Sequence, residues 1–170
     1  VVLGGMTKDP EQERHMLERC RERTQGLSQL VRDLLDFSMR ENQGETNRVF
    51  APLDLAEVVR ETVAFMAPTA QARNVAVTAD LPEHLPAIAA DRNEMVGLVT
   101  NLLTNAIKYT HENGSVSVEA RPKGEVVETW VTDTGIGIGK EDMERVFQRF
   151  TQVDSSASRT QGGTGLGLTI

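Results

Sequence analysis

One cysteine, Cys20, stands in a chain of 170 residues. It excludes a disulfide framework within the chain, and a reducing cytoplasm suits it best. Long apolar runs are lacking as well: none approaches the roughly 18 to 20 residues of a membrane span, and no signal peptide opens the chain. Direct contact with a membrane is therefore not expected. Basic charge is scarce too. Against 25 Asp and Glu there are 18 Lys and Arg, a formal net charge of -7. The pI is near 5.0. Nothing builds a basic stripe, so nucleic acid is not an expected partner. A polyanionic ligand stays open, provided that backbone N–H groups and a metal ion meet its charge locally.

What is present is a globular balance, 39% hydrophobic and 25% charged, with room for one ordinary domain and an appendage. The opening Val1-Val2-Leu3 is an uncapped apolar stub stopped by Gly4-Gly5. The closing Gly165-Leu166-Gly167-Leu168-Thr169-Ile170 is still gathering apolar residues. Both ends suggest a parent chain that continues beyond them.

Residues 10–42 read as one long helix. Asp9-Pro10 supplies a cap and a first-turn proline, with Glu11 and Glu13 following. Leu17, Cys20, Thr24, Leu27, Val31 and Leu34 then recur at alternating spacings of 3 and 4, a heptad seam widened by Leu30 and Phe37. Such a stripe needs a partner. The stub at Leu3 suggests a preceding helix, joined as an antiparallel hairpin through residues 4–9 and capable of forming a homodimer.

A polar break at Gln43-Gly44-Glu45-Thr46-Asn47 marks the expected domain boundary, with 1–43 before it and 48–170 after. Beyond it the pattern predicts a strand over Arg48–Pro52, a helix from Leu53 to about Ala72 capped by Asp54, and a strand over Val75–Ala79. A loop over Leu81–Ala90 leads to a helix capped by Asp91, with Glu94 completing a capping box. Strands at Ser115–Arg121 and Val126–Thr132 and a short helix over about Lys140–Val146 follow. The fold class is α+β, a sheet with helices on one face behind the long helix.

Three segments carry chemistry. On the helix from Asp91 to Tyr109, Asn101, Asn105 and Lys108 share one face, opposite Val96, Val99, Leu102, Leu103, Ala106 and Ile107. Amide oxygens are hard neutral ligands suited to Mg²⁺, and a lysine at the helix end suits phosphate. Asp133-Thr134-Gly135-Ile136-Gly137-Ile138-Gly139 puts a carboxylate at a strand end, able to accept from an exocyclic amine, with glycines that let backbone approach a flat ring. Gly162-Gly163-Thr164-Gly165-Leu166-Gly167-Leu168 can turn several N–H groups toward phosphates. Neither run is a P-loop or a dinucleotide fingerprint.

In their order, with Phe147-x-x-Phe150 between them, these segments closely resemble the N-box, first glycine box, F-box and second glycine box of sensor histidine kinases. The resemblance covers about residues 48–170 and implies the Bergerat (GHKL) ATP-binding fold, an α/β sandwich. The helix ending Leu34-Leu35-Asp36-Phe37-Ser38 resembles the second helix of that family's dimerisation hairpin. The match implies ATP and Mg²⁺ as cofactors. Asn105 would hold the Mg²⁺ with Asn101 beside it, and Lys108 and Tyr109 would approach the phosphates and sugar. Asp133 would hold the adenine amine in a pocket shaped by Gly135, Gly137 and Ile138. Phe147 and Phe150 would anchor a lid spanning Thr151–Gln161, and Gly163, Thr164, Gly165, Leu166 and Gly167 would close over the triphosphate. The implied partner is a response-regulator receiver domain and the implied location cytoplasmic, with the parent open to inner-membrane anchoring.

The departures from the family are equally specific. Its acceptor histidine, in a His-Glu/Asp-x-x-x-Pro setting, is lacking, and His15, His84 and His111 read as surface residues. The expected set of catalytic residues on this chain is therefore empty. Gln152 stands where a lid arginine is usual, with Arg149 or Arg159 as substitutes. Gly97 stands where the ATPase branches of the fold carry a water-activating glutamate, so poor hydrolysis is expected. The competing readings are a mechanical ATPase of the same fold and a non-enzymatic dimerisation module with a vestigial pocket.

Overall fold

The computed structural model describes residues 10–43 and 48–148. The Leu3 stub, residues 44–47 of the polar break, Arg149, Phe150, the expected lid and the second glycine box lie outside the described residues. Helix α1 (Pro10–Gln43) is the expected long helix, with Glu11 and Glu13 in its first turn. Leu17, Leu27 and Val31 on its seam are all more than half exposed, and Cys20 is exposed as a free thiol. These three seam residues are therefore not covered by any of the described residues. No helix among the described residues is long and apolar enough to cross a membrane.

After α1 come β1 (Ala51–Leu53), α2 (Leu55–Ala72), β2 (Ala76–Asp80), β3 (Ile88–Ala90), α3 (Arg92–Tyr109), β4 (Ser115–Lys123) and β5 (Val126–Asp133), then two short 3-10 turns. β2, β4 and β5 form a three-stranded sheet in that order, β2 parallel and β5 antiparallel to β4. β1 and β3 form a separate antiparallel pair.

The core lies between that sheet and the two helices α2 and α3. Val116, Val118 and Ala120 alternate along β4 and are completely buried, as a strand half-covered by helices demands. Val116 and Val118 meet Leu55, Val59, Met66 and Ala70 of α2 and Val99, Leu103, Ala106 and Ile107 of α3. Each large side chain of this kind contributes about 1.5 to 3 kcal/mol by leaving water. Leu103 and Ile107 are among the largest that are wholly enclosed, which fixes α3 by the face opposite Asn101 and Asn105.

Three expectations are corrected. Strand β1 begins at Ala51 rather than Arg48, because Arg48 and Val49 are engaged elsewhere. The Arg48 guanidinium pairs with Glu94 at 2.9 Å, and the Val49 N–H donates to Asp91 Oδ2 at 3.1 Å. The expected loop over 81–90 ends in strand β3, too short to show a period of its own. The expected helix near 140–146 is two 3-10 turns, Lys140–Asp142 and Arg145–Phe147, neither with a side-chain cap.

Both caps are as expected. Asp54 accepts from the N–H groups of Ala56 and Glu57, and Asp91 from those of Asn93 and Glu94. Donation from the Val49 N–H, then from Glu94, holds the Asp91 carboxyl below its ordinary value of 3.8. Partial burial opposes the shift; Asn93 and the charge of Arg48 add to it. The folded state thus prefers the carboxylate. Its contribution to stability is complete above the ordinary value and is lost as pH falls through the lower folded one. Replacing Asp91 by Ala should therefore lower the melting temperature at pH 6 and flatten its decline between pH 4 and 2.5. An acid limb identical to that of the unsubstituted chain would show that Asp91 does not carry this linkage.

Candidate functional site

α3 and the loop after β5 converge at one point. α3 runs unbroken to Tyr109, and the carbonyl of Tyr109 accepts from the Ile136 N–H at 3.2 Å. Gly135 lies so close behind that a Cβ there would overlap the Tyr109 carbonyl oxygen and stand 2.7 Å from Asp133 Oδ1. Only glycine leaves room for this approach. Gly137 has a different reason to be glycine: its φ is +67° with open space around the Cβ position, a backbone state that other residues adopt at a cost.

Asp133 ends β5 and is exposed. Its Oδ1 accepts from the Gly135 N–H at 2.8 Å, a tight turn that fixes the carboxylate while leaving Oδ2 without a partner among the described residues. Thr134 ties the other side of the loop. Its N–H donates to the Ser115 carbonyl at 3.0 Å, and its hydroxyl accepts from the Ser115 N–H at 2.9 Å. Ile136 and Ile138 project 40% and 48% exposed, an apolar rim beside an open glycine backbone.

On α3, Asn101, Asn105, Lys108 and Tyr109 are all half-buried. The Lys108 ammonium sits 5.0 Å from the centre of the Tyr109 ring, a cation–π distance. Among the described residues no cluster of three or more His, Cys, Asp or Glu stands as a metal cage. A cation here would depend on neutral amide oxygens and on the ligand's own anionic groups, which fits a hard ion carried by phosphates. Phe147 is 64% exposed, so it does not pack into the core. His15, His84 and His111 are exposed, as expected, and Gly97 is half-buried. A surface hollow of about 480 Å³ lies between α2 and β2 near Val63, Gln71 and Asn113, and none of Asn101, Asn105, Lys108, Tyr109 and Asp133 lines it.

Residues 90–170 match the family described as histidine kinase-, DNA gyrase B-, and HSP90-like ATPase. The chain is 35% identical over 162 residues to the sensor-like histidine kinase SenX3 of Mycolicibacterium smegmatis, covering 95% of this chain and 42% of that protein. It is 41% identical over 150 residues to the non-motile and phage-resistance protein of Caulobacter vibrioides, covering 86% and 18%. Its structure matches full-length ShkA, crystallised in complex with AMPPNP, with a TM-score of 0.73 and 30% identity over 96% of this chain and 33% of that one. The chain carries the ATPase-type catalytic domain of a sensor histidine kinase. Another histidine kinase of the same fold was crystallised in complex with a response regulator. This chain spans less than half the length of the curated relatives named here.

Within this histidine kinase domain, sequence reasoning passed over Thr134 and Gly114. A Cβ at Gly114 would stand 2.8 Å from Thr134 Oγ1 and 2.9 Å from the His111 carbonyl. The Asn113-Gly114 pair was a turn signal that could have marked it. Nothing in the sequence marks the Thr134–Ser115 tie. The loop geometry yields a direct test. Gly135→Ala should cost about 1 to 3 kcal/mol through overpacking against Tyr109, whereas Gly137→Ala should cost about 1 to 2 kcal/mol through its backbone alone. Urea denaturation measures both. Wild-type stability in Gly135→Ala would mean that the loop does not lie against the end of α3.

Proposed function

We propose that this chain binds ATP between α3 and the Asp133–Gly139 loop and presents its γ-phosphoryl group to a histidine outside the chain, for relay to a response-regulator aspartate. The observation that carries the reading is the bond from Ile136 N–H to the Tyr109 carbonyl. It ties the end of α3, where Lys108 and Tyr109 stand, to the loop that follows Asp133.

In this reading the free oxygen of Asp133 accepts from the adenine amine, and the open backbone at Gly137, with Ile138 beside it, receives the ring. Asn105, flanked by Asn101, offers a side-chain oxygen to Mg²⁺, while Lys108 and Tyr109 face the phosphates and the sugar. When bound, Mg²⁺ would neutralise charge on the phosphates. Gly163, Thr164, Gly165, Leu166 and Gly167 would supply N–H groups from the other side. Phosphoryl transfer needs positioning and charge neutralisation more than covalent help from the protein. This division of labour asks nothing further of the chain.

Residues 48–170 are then the catalytic domain and residues 1–43 part of a dimerisation hairpin. The exposed stripe of α1 supports a homodimer, which sedimentation of the chain reads directly. The reading places the domain in the cytoplasm, without nucleic acid and without direct membrane contact.

Two measurements test it. Asp133→Asn keeps the shape but turns an acceptor-only group into a mixed donor and acceptor. ADP affinity by calorimetry should fall by at least about tenfold, and an unchanged affinity would place adenine elsewhere. With γ-labelled ATP the chain itself, His15 included, should stay unlabelled, while a hairpin carrying the parent's histidine should gain label from it. Hydrolysis should stay near background, since losing a general base forfeits roughly 10² to 10⁴ in rate. Robust turnover by the chain alone would sink the kinase reading in favour of an ATPase.

A further inference from the structure

We propose that Arg73, the residue that closes α2, is a positioning residue for the nucleotide site: its guanidinium holds the last turn of α3 and, through it, the Asp133 loop. The inference deepens the nucleotide-binding reading above and rests on it.

An α-helix leaves its last four carbonyls without partners of its own. At the end of α3 three of them are met by different means. Ala106 O takes both the N–H of Thr110 at 3.1 Å and its hydroxyl at 2.7 Å. Lys108 O takes Arg73 Nη2 at 3.0 Å, a part-buried bond across 35 positions of sequence. Tyr109 O takes the Ile136 N–H. The carbonyls gripped by Arg73 and by the glycine loop thus belong to adjacent peptides. A cation at this point is favoured by the negative end of the helix as well as by the bond itself.

Arg73 is held firmly enough to act as a fixed point. Its own N–H donates to Ala70 O at 3.1 Å, and the Asn74 N–H donates to Gln71 O at 3.0 Å. Asn74 then turns the chain with φ +53°. Its carbonyl accepts from the Asn113 N–H at 2.8 Å, and the Ala76 N–H donates to Gly114 O at 3.0 Å. The α2–β2 turn therefore holds Lys108 at the end of α3 by a side chain and Asn113, in the turn that follows α3, by backbone. From Lys108 the constraint passes through one peptide to the Tyr109 carbonyl. Gly135 rests against that carbonyl without clearance, so the loop follows it. The Gly135 N–H in turn sets Asp133 Oδ1. Arg73 does not touch the nucleotide in this scheme; it steadies the Gly135 N–H that orients the Asp133 carboxylate, whose backbone β5 already holds.

The test uses the 170-residue chain with ADP as probe. Arg73→Gln should weaken ADP binding by about tenfold, the lower end of what one charge-assisted hydrogen bond contributes. It should also speed hydrogen exchange at the Ile136 amide while the Val116 and Val118 amides of β4 keep their protection. Arg73→Lys, whose ammonium can reach the same carbonyl, should recover most of the affinity. Wild-type ADP affinity in Arg73→Gln overturns the proposal. So does a loss of affinity accompanied by equal loss of protection across β4, or a variant that does not fold, since either assigns Arg73 to the fold rather than the site. Asp133→Asn serves as the control. If it too leaves ADP binding unchanged, the nucleotide site itself is misplaced; if it weakens binding while Arg73→Gln does not, only the Arg73 inference falls.

Discussion

The carbonyl of Tyr109 ends a helix that cannot use it, and the Ile136 N–H supplies the missing partner. That single bond joins two residues 27 positions apart in the chain. It also explains the glycine between them, because a side chain at 135 would occupy the oxygen's position. The loop then takes its place from α3 at Ile136 and from β4 at Thr134. Asp133 turns back on Gly135, Thr134 clips to Ser115, and Gly137 opens outward. A loop tied at both flanks loses little further freedom on meeting a ligand, and that lowers the entropic cost of binding.

α3 holds this position because its other faces are spoken for. Leu103 and Ile107 are enclosed by α2 and β4, so the helix neither rolls nor slides without opening the core. Its N-terminus is held independently by Asp91, which caps the helix with one oxygen and accepts the Val49 N–H with the other. The rod between the two ends is 18 residues, about 27 Å at 1.5 Å per residue. The segment that follows α1 is thereby fastened at one end of α3, while the candidate chemistry gathers at the other.

Much of this was legible in the sequence, and for definite reasons. The long helix, both aspartate caps and the two long strands announced themselves by periodicity and by cap chemistry, which are local properties. Asn101, Asn105 and Lys108 were recognisable as one face because helix geometry alone puts them there. Strand β3 escaped because three residues show no period. Arg48 and Val49 read as strand but bond to the start of α3, a partner more than 40 positions away. Arg73 escaped for the same reason: its partner is 35 positions away, and no spacing rule encodes a contact between the ends of two helices. Local signals thus marked the candidate site residues, but not the contacts that hold them in place.

The same helix also bears on what the site does with a nucleotide. Hydrolysis on an asparagine helix of this kind calls for a carboxylate aimed at water near the phosphates. α3 contains one carboxylate, Glu94, and it is paired with Arg48 at 2.9 Å. It also stands seven residues before Asn101, about 10 Å along the axis. Gly97, one turn before Asn101, has no side chain to offer. A lysine and two amides remain, groups that bind and neutralise charge but deprotonate nothing when the lysine is charged. On α3, such a set favours holding a triphosphate over activating water against it.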